Sequence, residues 1–108
     1  MKLIAAVAQT ATVLFDTAAT VAKAETLMAE AAARGAQLLV FPEAFIGGYP
    51  KGADFHIFIG ARTPEGRQDF LKYYEAAVAL DGPEIAQLAQ AAGAHKLYVC
   101  VGIIERDG

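Results

Sequence analysis

The sequence is poor in the residues that mark several large classes of protein. It holds one cysteine, Cys100, which excludes an internal disulfide and leaves too few thiolates for a cysteine-based zinc site. A reducing, cytoplasmic location is the expectation. The two histidines, His56 and His95, are isolated, and Asp54 beside His56 is a weak signal by itself. A bound metal is not expected. No apolar run approaches the ~20 residues of a membrane helix. Met1-Lys2 followed by "LIAAVAQTATVLF" has the outline of a signal peptide, but Gln9, Thr10 and Thr12 interrupt it and the pattern suits a strand better. Nine Lys/Arg against twelve Asp/Glu give a net charge of −3, with no basic cluster on one face. Nucleic acid is therefore not an expected partner.

What is present describes an ordered chain. Hydrophobic residues make up 56% and charged residues 19%, far from the composition of a disordered segment. At 108 residues one domain at most is expected, and a chain of this size buries about two-thirds of its unfolded surface.

The apolar pattern predicts a β-α-β-α-α-β order. Residues 2–9, "KLIAAVAQ", are an apolar run of strand length. Asp16 or Thr17 can cap the helix that follows, on which Val21, Ala24, Met28 and Ala31 recur at helical spacing. Gly35 sits where a left-handed C-cap belongs. "AQLLVF", 36–41, is a second strand, stopped by Pro42. Residues 43–62 form a long glycine-rich stretch, of a length that is usually functional or mobile. Thr63-Pro64-Glu65 starts a second helix, expected to reach about Leu80 with Phe70, Tyr74 and Ala77 on one side. "PEIAQLAQAA" is a third helix, ended by Gly93, and "HKLYVCVGII", 95–104, is a third strand. Strands joined through helices are parallel, with right-handed crossovers. Such a three-stranded unit covers one sheet face only, whereas parallel sheets are normally covered on both. Asp107-Gly108 is a hairpin signal without a return strand. The whole reads as the opening part of a larger α/β fold.

In open α/β sheets the chemistry gathers beyond the carboxyl ends of the strands. Glu43 follows the second strand there, after Pro42 and among Phe41, Phe45 and Tyr49. Burial in that apolar setting would raise its pKa, which suits a general base or acid near neutrality. A turn cap or surface ion pair is the alternative. "GGYPKG" does not match a phosphate-binding loop, because Gly52 precedes Ala53 and Pro50 removes an amide. Lys51 reads as a solvated cation. Tyr49 could form a pocket wall or simply pack. Cys100, in the middle of "LYVCVGII", is expected to be a small buried hydrophobe with an unreactive thiol. Glu105, Arg106 and Asp107 read as a solvated turn beyond the third strand.

"AQLLVFPEAFIGGYPKG" resembles the first signature of the nitrilase superfamily, the carbon–nitrogen hydrolases. "KLIAAVAQTATVLFD" is similar to the family's first strand and helix entry, while "RTPEGRQDFLKYYEAAV" and "LYVCVGIIERDG" resemble the nitrilase branch. The resemblance covers essentially the whole chain. It implies that residues 1–108 are the amino-terminal part of a single domain, an incomplete nitrilase-like α-β-β-α sandwich, in a family of cofactor-free hydrolases that commonly form homo-oligomers. It further implies a Glu-Lys-Cys triad in which Glu43 matches the general base and Tyr49 borders the substrate, a small nitrile or amide. In the family the triad lysine and cysteine come well after the third strand, so Lys51 and Cys100 do not match them. The isolated chain is then expected to be inactive. An amidase relative, or a truncated protein acting by association, are the other readings.

Overall fold

A computed structural model describes residues 1–50 and 63–108. Among the described residues six elements follow one another: β1 (Ala5–Val7), α1 (Thr17–Ala33), β2 (Leu38–Val40), α2 (Pro64–Ala76), α3 (Pro83–Ala94) and β3 (Tyr98–Cys100). The strands pair in the order β1-β2-β3, all parallel. Ala6, Leu39 and Val99 share one row, and Ala5, Leu38 and Tyr98 the next. Each strand is shorter than the apolar run that encodes it. Single bonds extend the ladder past the regular part, among them Gln37 N–H to the Ile4 carbonyl at 2.7 Å and Ala8 N–H to the Val40 carbonyl at 2.8 Å.

α1 forms as its spacing predicts. Asp16 is the cap, its Oδ1 accepting from the Ala19 amide at 2.9 Å. Gly35 takes φ +85°, and the bonds Gly35 N–H to Ala32 and Ala36 N–H to Ala31 close the end as a Schellman motif. Val21, Ala24, Met28 and Ala31 are buried against Leu39, Phe41, Leu88 and Leu97 in one core. Gln87 of α3 donates to Glu25 of α1 at 3.2 Å, so these two helices lie together on the same side of the sheet.

Two helix ends differ from expectation. α2 stops at Ala76, because Ala77 is extended (ψ 156°) and Val78 is drawn into the sheet. Its amide donates to Ile104 O at 3.0 Å and its carbonyl accepts from Arg106 at 2.8 Å. Ala77 is therefore buried outside the helix, while Phe70 and Tyr74 are 60% and 41% exposed. Gly93 does not end α3 but lies within it. The helix runs one residue further, and Lys96 takes the left-handed position at φ +50°.

The other face of the sheet is open, as one-sided coverage predicts. Val7 is 77% and Tyr98 79% exposed. Cys100 lies in this row and is exposed, which corrects the expectation of a buried thiol. Strand alternation is the reason: Val99 points to the helices, so Cys100 must point away from them. Among the described residues, no helix is long and apolar enough to cross a membrane.

Candidate functional site

The carboxyl end of β2 is where the sheet is locally broken. Phe41 N–H bonds to the Cys100 carbonyl at 2.8 Å. In an uninterrupted parallel ladder the amide two residues on, that of Glu43, would bond to the Gly102 carbonyl. Ile46 makes that bond instead, at 3.0 Å, and its carbonyl accepts from Ile104 at 2.8 Å. The register resumes three residues late, so residues 42–45 stand out from the sheet as a bulge carrying Glu43 near its crest.

The bulge is anchored from below. Phe41 and Phe45, at 5% and 1% exposure, stack with ring centroids 5.1 Å apart and hold both of its ends in the core. Ala44, next to Glu43, adopts φ +51°, a conformation most non-glycine residues avoid. Its carbonyl accepts from Gly48 N–H at 3.0 Å. Gly47 and Gly48 then turn the chain with φ +101° and +89°. At Gly48 a side chain would collide with Leu14, its Cβ only 2.8 Å from Leu14 Cδ1. The loop after β1 thus closes against the loop after β2, and both lie at the carboxyl ends of their strands.

Glu43 is exposed. This corrects the expectation of an apolar, aromatic surrounding. Phe41 lies two residues beyond Leu39 and so faces the helices, and Phe45 is tucked beneath the bulge. The burial expected around Glu43 is not supplied by the described residues. Tyr49 is 65% exposed. Lys51, Gly52, Asp54 and His56 lie outside the described residues. His95 caps α3. Glu105 pairs with Val78 and the Arg106 guanidinium sits 5.6 Å from the Tyr74 ring centroid, so this group is more than a solvated turn. Among the described residues, no group of three His, Cys, Asp or Glu side chains is placed to hold a metal.

One residue of the site was passed over in the sequence. Gly102 lies directly under the bulge, and a Cβ there would fall within 2.9 Å of the Pro42 carbonyl oxygen and 3.0 Å of the Glu43 carbonyl carbon. The available signal was a lone glycine inside an apolar strand pattern, which often marks close approach of another backbone.

A family model for carbon-nitrogen hydrolases matches residues 4–108. The aliphatic nitrilase of Sinorhizobium fredii (strain HH103) is 61% identical over 107 residues, covering 99% of this chain and 35% of that protein. The bifunctional nitrilase/nitrile hydratase NIT4A of Lupinus angustifolius is 56% identical over 104 residues, 96% of this chain and 30% of that protein. Nitrilase 2 of Arabidopsis thaliana is 47% identical over 104 residues, with 96% and 31% covered. The chain thus spans 30 to 35% of the length of these curated relatives.

Proposed function

The chain belongs to the carbon–nitrogen hydrolase family, and we propose that it is the amino-terminal part of a nitrilase-type domain that converts a nitrile to a carboxylic acid and ammonia. The observation that carries this reading is similarity along the whole chain to relatives named for nitrile hydrolysis. Glu43, displayed on a bulge beyond the strand ends, is in this reading the general base of a Glu-Lys-Cys triad. The lysine and cysteine belong to the part of the domain that lies outside these 108 residues, as does the second sheet of the α-β-β-α sandwich. The domain works as a cytoplasmic homo-oligomer.

In the proposed reaction Glu43 takes the cysteine thiol proton and the thiolate attacks the nitrile carbon, giving a covalent thioimidate. The lysine stabilises charge developing on nitrogen. Water adds, the C–N bond breaks to release ammonia, and a second water cleaves the resulting thioester to the acid. The names of the bifunctional relatives favour a second outcome from the same intermediate: loss of the thiolate before ammonia, which yields an amide. Tyr49, close after the bulge in sequence, is proposed to border the substrate once the rest of the domain is in place.

The test uses a polypeptide extended to the length of the relatives, with a panel of aliphatic and aromatic nitriles. Ammonia, acid and amide are each quantified. Turnover that falls by about 10³-fold or more in Glu43→Gln, with cooperative melting retained, is the expected result for loss of a base acting with its nucleophile. Unchanged turnover in that variant removes Glu43 from the chemistry. The 108-residue chain alone should release no ammonia.

A further inference from the structure

We propose that Gly102 is a positioning residue for Glu43, a role that rests on the reading of Glu43 as the general base. Gly102 is two residues beyond Cys100 and four beyond Tyr98, so its missing side chain would project on the open face of the sheet. The Glu43–Ala44 peptide occupies that space. A Cβ at 102 would reach the Ala44 amide nitrogen, the Pro42 carbonyl oxygen and the Glu43 carbonyl carbon, all backbone atoms. None is the end of a flexible side chain that could swing aside.

The bulge has little freedom to yield. It is pinned before the crest by the Phe41–Cys100 bond at 2.8 Å and after it by the Ile46–Gly102 bond at 3.0 Å. Its two phenylalanines are buried in the core. Ala44 already sits at φ +51°. A methyl group at 102 therefore lifts the segment between the pins, which is the segment that carries Glu43. Glycine at 102 lets the peptide rest on the strand and sets the height of the carboxylate above the sheet. A displacement of about 1 Å at a reacting group can lower a rate by about 10²-fold, so a small lift is enough to matter.

The experiment compares Gly102→Ala, Glu43→Gln and their double variant in the extended, active polypeptide, using the nitrile turned over fastest by the unmodified protein. The expected result for Gly102→Ala is a kcat lowered by about 10- to 100-fold, with KM within about twofold and the melting transition still cooperative. The double variant should be no slower than Glu43→Gln alone, since a misplaced base costs nothing once the base is gone. Adding Ala44→Gly to Gly102→Ala eases the left-handed residue and should restore part of kcat. An unaltered kcat in Gly102→Ala overturns the proposal. So does a loss that multiplies in the Glu43→Gln background, because Gly102 then acts on something other than Glu43. If Gly102→Ala does not fold, the Ala44→Gly, Gly102→Ala protein is judged by the same criteria. Failure of both to fold makes Gly102 a folding residue and likewise overturns the idea. Full turnover by Glu43→Gln is a distinct result, which removes the general-base reading itself and the inference with it.

Discussion

At the scale of single residues, Thr20 shows how the loop leading into α1 is held. It is a polar side chain with 1% exposure, and its hydroxyl lies 3.1 Å from the Val13 amide, 3.1 Å from the Val13 carbonyl and 2.9 Å from the Asp16 carbonyl. A threonine on a buried helix face is usually a liability, yet here its hydroxyl is met by backbone groups of the loop and by the Thr12 hydroxyl at 3.3 Å. Replacing it with valine keeps the shape and leaves the Val13 amide unpaired, at a cost of about 1–3 kcal/mol. Urea unfolding should show a lower midpoint at unchanged slope, and Thr20→Ser should recover most of the loss. A midpoint unmoved in Thr20→Val would mean that water replaces the hydroxyl. Glu43 illustrates what a sequence can and cannot say at this scale. Its place after the strand and the proline was legible, because the end of an apolar run is a local signal. Its exposure was not, since burial depends on what lies across the bulge. Gly102 was visible only as an oddity, because the backbone it accommodates is about sixty residues earlier in the sequence.

Elements were legible in proportion to how local their causes are. α1 carries its whole specification within itself: the Asp16 cap, the buried stripe and Gly35 in the left-handed position. The end of α2 is imposed from elsewhere, because Val78 finds hydrogen-bond partners in Ile104 and Arg106, and no helical spacing could announce that. α3 is a case of a glycine that misleads. Gly93 reads as a stop but lies inside the helix with open space where a Cβ would go. The true end uses Lys96 at φ +50°, with Lys96 N–H to Gly93 O at 3.1 Å and Leu97 N–H to Ala92 O at 2.9 Å. This is the same Schellman closure as at Gly35, built on a residue that pays for its left-handed backbone. Two substitutions should therefore stabilise the protein. Gly93→Ala should contribute about 0.5–1 kcal/mol through helix propensity, and Lys96→Gly about 1 kcal/mol by relieving the C-cap. Gly35→Ala should cost about as much, because no atom lies near its Cβ position and only the φ of +85° opposes it. Denaturant midpoints of the three variants test the assignment, and a Gly93→Ala protein less stable than its parent would place the helix end back at Gly93.

For the molecule as a whole, the uncovered sheet face decides behaviour. Sequence order and the handedness of crossovers were enough to foresee it, since two helical connections on one side leave the other bare. The structure places Val7 and Tyr98 on that face at 77% and 79% exposure, with Leu38, Val40 and Cys100 in the same rows. Contiguous apolar surface of this kind drives association in water, and β1 and β3 add unpaired strand edges on either side. The 108-residue chain on its own should therefore sediment as a concentration-dependent mixture instead of a single monomer. Val7→Lys and Tyr98→Lys test the cause, because each places a charge on the open face without touching the core on the helical side. Both should shift the population toward monomer while the far-ultraviolet circular dichroism stays unchanged. Cys100 serves as an internal reporter: its exposed thiol should react readily with a soluble disulfide reagent at low protein concentration and more slowly as association covers the face. A monomer with a sharp, concentration-independent melting transition and a thiol equally reactive at all concentrations would show that the chain tolerates its bare sheet. The association surface would then have to be sought on α2, where Phe70 and Leu71 are 60% and 50% exposed, and the two lysine variants would leave any residual oligomer intact.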